Sequence, residues 1–209
     1  MEKIGVELEN VELSFLDRLV LHVLRLAVHQ FDRIGIVGIN GAGKSSLLKL
    51  MNGQIKPEKG HVKSYINFAY LDQVTAPDES EIDYDLKRKL SIPETKMENF
   101  SGGEQTRMKL AQIFSNYYEG LLVDEPTTHL DTEGIQFFMK ELTHYYGALV
   151  LVSHDRYVLD QLVTKIWEIE NGTVTEYTGN YSDYVDQKKL EKQHQQEQHE
   201  TYVKEKIRL

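Results

Sequence analysis

An α/β domain, with a parallel sheet covered by helices on both sides, is the fold class that this sequence predicts. Two observations carry it. First, Gly38-Ile39-Asn40-Gly41-Ala42-Gly43-Lys44-Ser45-Ser46 stands between an apolar run at 34–37 and an amphipathic run from Leu47. It fits G-x-x-x-x-G-K-[ST], the phosphate-binding loop that joins a strand to a helix. Second, 120–124 and 148–152 are short apolar runs, as strands buried on both faces require. Both alternate with helical periodicities, the pattern of a parallel sheet with crossover helices.

Residues 3–13 alternate imperfectly (Ile4, Val6, Leu8, Val11, Leu13) and read as edge-strand material. Phe15-Leu16-Asp17-Arg18 reads as a turn, and 19–28 as another strand. The run 32–38 feeds the glycine-rich loop, and the helix after it stops near Asn52-Gly53. Lys56-Pro57-Glu58-Lys59-Gly60 is a turn, and Val62 with 65–71 gives strand pattern ending in Asp72-Gln73. Residues 74–99 are polar, with Pro77, Pro93 and weak helical periodicity at 82–90, so a small, mobile excursion is expected. Ser101 suits a helix N-cap, and Leu110, Ile113, Phe114 and Tyr117 predict that helix's apolar face.

A helix over 132–145 would turn Ile135, Phe138, Met139 and Leu142 inward, and another is expected over 156–163. Segments 165–170 and 173–177 form a hairpin about Asn171-Gly172. From 187 to 209 the chain is charged, Gln-rich and free of Pro and Gly, which predicts a long solvated helix.

The 209 residues are 40% hydrophobic and 27% charged, enough for one large domain with a full core, or a domain plus an appendage. Cysteine is absent, which excludes a disulfide framework and thiolate metal sites. No apolar run approaches the roughly 20 residues of a membrane span, so a soluble cytoplasmic protein without a membrane segment is the expectation. A net charge of −9 argues against strong nucleic-acid binding by this chain alone.

Chemistry is concentrated in four places. In the glycine-rich loop, residues without a Cβ let successive N–H groups turn inward around anionic oxygens, and the following helix adds its positive end. Lys44 would reach the β/γ-phosphates and the Ser45 hydroxyl would ligate Mg²⁺. Leu121-Leu122-Val123-Asp124-Glu125 ends a buried strand in two carboxylates, suited to the Mg²⁺ shell and to polarising water. Ser101-Gly102-Gly103-Glu104-Gln105 opens a helix with two glycines, either to admit an anion or as a flexible cap. Ser153-His154-Asp155 follows an apolar strand, so His154 falls where strand ends gather at a ligand crevice, and Gln73 also lies at a strand end.

In this order the segments resemble the ATP-binding-cassette ATPases: Walker A (38–46), Q-loop (Gln73), signature (101–105), Walker B (121–125), D-loop (Leu130-Asp131) and H-switch (His154). The resemblance covers residues 1 to about 180 and implies that family's fold: a parallel core sheet, an N-terminal antiparallel β subdomain, and a small helical subdomain at about 74–118. It implies ATP and Mg²⁺ as ligands. Phe15 takes the place of the aromatic that stacks on adenine, where Tyr is commoner. Gly38, Asn40, Gly41, Ala42, Gly43, Lys44, Ser45 and Ser46 would hold phosphates; Ser45 and Gln73, with Asp124 behind, would meet Mg²⁺. Glu125 would activate water and His154 would contact the γ-phosphate. Ser101, Gly102, Gly103, Gln105 and Asp131 would serve the ATP of a facing second cassette, in the same parent chain or in a head-to-tail homodimer. Phe100 replaces the usual Leu before the signature.

Three details resemble the ABC-F branch, which carries two cassettes in one chain and no membrane domain. They are Asp124-Glu125-Pro126-Thr127-Thr128-His129-Leu130-Asp131 (Thr128 where Asn is typical), Val152-Ser153-His154-Asp155-Arg156-Tyr157, and Gly179-Asn180-Tyr181-Ser182-Asp183-Tyr184 running into a charged helix. Residues 181–209 would then begin the linker between cassettes. Within the branch, the wording is most similar to Vga-like antibiotic-resistance proteins, which implies action on the ribosome and its tRNA through the parent protein. Two other classes stay open. A transporter's energy subunit is disfavoured by the short stretch between Gln73 and Ser101; a DNA-repair cassette is disfavoured by the absence of a coiled-coil or zinc-hook insertion.

Overall fold

The computed structural model describes residues 3–16, 18–72, 77, 82–94, 96–128 and 130–207. Two sheets organise the chain. The smaller is antiparallel, with β1 (Ile4–Phe15) between β2 (Arg18–His29) and β4 (Lys59–Ser64). The larger has six strands in the order β5-β6-β7-β3-β8-β9, namely Phe68–Leu71, Gly120–Asp124, Ala148–Val152, Arg33–Val37, Lys165–Glu170 and Thr173–Thr178. Every pairing in it is parallel except β8 with β9.

The apolar strands are explained by burial on both faces. Ile34, Ile36, Leu122, Val150 and Val152 point to a core shared with the antiparallel sheet and with α1 (Lys44–Met51). Leu121, Val123, Leu149 and Leu151 point to the opposite core, covered by α3 (Gly102–Ser115), α4 (Thr132–His144) and α5 (Arg156–Leu162). A strand with two buried faces has no polar positions to alternate with.

The imperfect alternation of 3–13 also has a cause. Buried residues switch from Val6 and Leu8 to Val11 and Leu13, and the paired strand switches with them, from Val28 to Val23 and Leu21. Between the two sets Asn10 has φ 50, a left-handed conformation that Asn tolerates. The register against β4 slips at the same place, between Glu9 and Glu12. Such a bulge turns the strand about its own axis and moves the inward positions by one.

The strand pattern at 62–71 divides into β4 and β5, which belong to different sheets, with Ile66 buried between them. Within the excursion, α2 (Tyr84–Lys89) is capped by the Asp83 carboxylate, and Met97–Asn99 forms one turn of 3-10 helix. Residues 74–76, 78–81 and 95 of the expected mobile stretch lie outside those described. Ser101 caps α3 as expected, but the apolar face does not include Tyr117. The helix ends at Ser115, and Tyr117 is 85% exposed because Asn116 turns the backbone to an extended conformation. Helix α4 buries Phe138 and Leu142 fully, while Ile135 and Met139 are half-buried.

At the hairpin, Asn171 and Gly172 have φ 51 and 79, as a two-residue turn matched to strand twist requires. The Gly172 carbonyl accepts the N–H of His22, which ties this hairpin to the antiparallel sheet. The last helix, α6 (Tyr181–Ile207), starts earlier than the charged composition indicated. Its Ser182 N–H and hydroxyl both donate to the Asp160 carboxylate of α5. Tyr184 and Lys188 donate to Glu168 of β8 at 2.7 Å each. Among the described residues, no helix is long and apolar enough to cross a membrane.

Candidate nucleotide site

Strand β3 delivers the chain into the glycine-rich loop at its C-terminal end, and α1 leaves it. Two of the glycines are dictated by geometry. Gly38 has φ 151, and a Cβ there would lie 2.6 Å from the Ile169 carbonyl oxygen. Gly43 is the N-cap of α1 with φ 104, and a Cβ would lie 2.9 Å from Val20 Cγ1. Among the described residues no side chain caps α1, and its first turn has no acidic residue, so its N-terminal N–H groups and dipole are left to the cleft. Lys44 is 8% exposed, and its ammonium donates to the carbonyls of Gly38 (2.9 Å) and Ile39 (3.2 Å).

The neighbouring strands end beside the loop. Asp124 closes β6, with Val152 of β7 opposite it. Glu125 follows with φ 51, and its N–H donates to the Val152 carbonyl at 2.9 Å, which turns its side chain off the strand end. Its Oε1 lies 3.2 Å from His154 Nε2, and the imidazole is well exposed while the carboxylate is mostly covered. Asp124 Oδ2 accepts from the Tyr70 hydroxyl at 3.4 Å; Oδ1 is buried with no hydrogen-bond partner among the described residues. Buried Ser153 accepts the Asp155 N–H, fixing the turn that carries His154, and Asp155 caps α5.

One cleft of 580 Å³ therefore brings together Phe15, Asn40, Gly41, Gly43, Lys44, Ser45, Ser46, Asp124, Glu125 and His154. Gly38 and Ala42 line a second cleft, of 720 Å³, that shares Asn40, Gly41, Lys44 and His154 with the first and runs to the root of α6. Gln73 lies outside the described residues. Asp72, just before it, is held through its carbonyl by the Lys109 ammonium of α3 at 2.7 Å.

The remaining predicted residues do not line either cleft. Ser101 and Glu104 close a capping box: the Ser101 hydroxyl and N–H both donate to Glu104 Oε2 at 2.7 Å. Those bonds hold the Glu104 carboxyl below the usual carboxylate range. Gly102 is exposed, Gly103 is half-buried, and Gln105 donates to the Phe100 carbonyl. Asp131 caps α4 through the Gly134 N–H (2.8 Å) and accepts from Arg107 of α3 at 3.4 Å. Sequence reasoning missed Tyr70, Arg107 and Lys109. Each acts across a gap of 24 to 54 residues, and no local spacing carries that signal.

Residues 21–84 and 167–209 match two family models, both described as ABC transporter. The chain is 39% identical over 206 residues to the ribosome protection protein VmlR of Bacillus subtilis, covering 95% of this chain and 38% of that protein. It is 38% identical over 200 residues to the erythromycin resistance ATP-binding protein MsrA of Staphylococcus epidermidis, covering 94% and 41%. ABC transporter F family member 5 of Arabidopsis thaliana is 29% identical over 235 residues, covering 98% and 34%. The chain thus spans about two fifths or less of the length of these relatives. In fold it resembles the solved ATP binding subunit of an ABC transporter, with a TM-score of 0.71 at 19% identity, covering 83% of this chain and 90% of that one. The chain belongs to the ATP-binding-cassette ATPases, and its cassette resembles those of ABC-F proteins.

Proposed function

We propose that this chain is the ATP-binding and hydrolysing cassette of an ABC-F protein that acts on the ribosome and confers antibiotic resistance by protecting it. The observation that carries the ATPase part is the shared cleft, where loop amides, Lys44, Ser45, Asp124, Glu125 and His154 converge from three parallel strands. The ribosomal part is supported by similarity to a ribosome protection protein and an erythromycin resistance protein.

The residues fit a magnesium-bound nucleotide. Asp124 Oδ1 is a buried acceptor without a partner among the described residues, and Ser45 lines the same cleft. No cluster of three His, Cys, Asp or Glu is assembled among the described residues, so a cation here would draw its other ligands from phosphate oxygens and water. Ser45 and Gln73 would hold Mg²⁺, with Asp124 behind them; when bound, the ion offsets charge on the phosphate oxygens.

Lys44 would exchange its carbonyl partners for phosphate oxygens, and the uncapped N–H groups of α1 would face them. Phe15, half-exposed at the mouth, would stack on the adenine ring. Glu125 would take the proton of the attacking water, and His154 would orient the γ-phosphate from beside it. Ser101, Gly102, Gly103, Gln105 and Asp131 would complete the site of a second cassette. Residues 1–180 would form the cassette and 181–209 would begin the linker.

The test is to incubate the whole protein carrying Glu125→Gln with cell extract and ATP, then separate ribosomes from membranes. Sedimentation with ribosomes only when ATP is present supports the reading. Recovery with membranes overturns the ribosomal part and leaves the cassette as a transporter's energy subunit. This chain alone is expected to bind nucleotide yet hydrolyse it slowly; fast turnover independent of protein concentration would contradict the need for a second cassette.

A further inference from the structure

Among the described residues, the phenol of Tyr70 is the hydrogen-bond donor that reaches the Asp124 carboxylate, and the mechanism above gives it no role. The reach follows from sheet register. Strands β5 and β6 are parallel with Tyr70 opposite Leu122, so Asp124 is the diagonal neighbour, two residues further along on the same face. That face is the one beneath α1, where Tyr70 and Leu122 share a core with Leu47 and Leu48. An aromatic ring lying along the strand spans the gap and places its hydroxyl 3.4 Å from Oδ2.

A carboxylate on a strand end can rotate and exchange its oxygens. A donor fixed on one side selects one orientation, and here the oxygen left over, Oδ1, is the buried one without a partner among the described residues. A phenol carries its proton at neutral pH and a carboxylate offers only acceptors, so the Tyr70 hydroxyl is the donor of this pair.

We propose that Tyr70 is a positioning residue that holds Asp124 Oδ2 and thereby presents Oδ1 to the magnesium shell of bound nucleotide. This rests on the nucleotide reading of the cleft and adds a residue to it. Tyr70→Phe keeps the ring and its packing and removes only the donor.

The experiment titrates the full chain with a fluorescent ATP analogue, once with Mg²⁺ and once with EDTA. It uses the native sequence, Tyr70→Phe, Asp124→Asn and the double variant. Tyr70→Phe should leave metal-free affinity unchanged and weaken the magnesium-dependent affinity by about threefold to tenfold, the scale of one ordinary net hydrogen bond, since at 3.4 Å this one is long. In the Asp124→Asn background the same change should have no further effect, because the two residues act as one unit. Equal loss with and without Mg²⁺, or an undiminished loss in the Asp124→Asn background, would overturn the inference while leaving the nucleotide site intact. No binding by the native chain in either condition would overturn the nucleotide reading, and the inference with it.

Discussion

His154 Nε2 lies 3.2 Å from Glu125 Oε1, although 29 residues separate them in sequence. Strands β6 and β7 run side by side with Asp124 opposite Val152, so the two side chains leave neighbouring strand ends on the same rim. The proposed base and its neighbour are thus placed by the sheet, each just past the end of a paired strand.

Glu125→Gln should keep ATP binding within about twofold and lower hydrolysis by about 100-fold or more, the range for losing a general base. Equilibrium binding and phosphate release, measured on the same preparation, separate the two effects. Parallel loss of both would contradict the assigned role.

Gly38→Ala should destabilise the chain by about 2–4 kcal/mol, since the new Cβ meets the Ile169 carbonyl at 2.6 Å and a φ of 151 is strained for any side chain. Urea unfolding reads the loss. The obstacle is backbone on a paired strand, so it cannot rotate out of the way as a side chain would.

Phe138→Ala should cost about 3–5 kcal/mol in the same assay. Phe138 is 1% exposed between α4 and the sheet, where a large ring leaves a cavity that its neighbours cannot close. A cost below about 1 kcal/mol would mean that α4 shifts inward to fill it.

Stability should fall as pH rises above about 10, through the root of α6. Burial, then hydrogen bonding to Glu191 and the charge of Glu168, push the Tyr177 phenol up to about 12. Burial and the Glu168 carboxylate also raise Tyr184, and the hydrogen bond to Glu168 raises Lys188. Glu170 lies 3.7 Å from the same ammonium. All three groups have folded values above their unfolded ones, so the folded chain holds protons that the unfolded chain has lost. Their contribution is complete below the unfolded values and disappears as pH passes the folded ones. Unfolding at pH 9 and pH 11 should show this loss, and Tyr177→Phe with Tyr184→Phe should make it shallower.

The amino-acid sequence by itself determined the glycine-rich loop, the identity of most strands and helices, and the order of the six motifs. Those depend on spacing within a few residues: two-residue alternation, helical periodicity, caps such as Ser101, and turn pairs such as Asn171-Gly172. Even the fault in the first strand was visible as broken alternation, although its partner in β2 was not.

Only the tertiary structure decided which motifs meet. The strand order β5-β6-β7-β3 sets Tyr70, Asp124 and His154 around the loop that follows β3, while Ser101–Gln105 and Asp131 stay off that cleft. It also decided that α6 is gripped at its root by Asp160 and Glu168 before it becomes a solvated rod. The physical reason is that strand order is set by burying both faces of one sheet at once. That is a property of the whole core, and no local stretch of residues contains it.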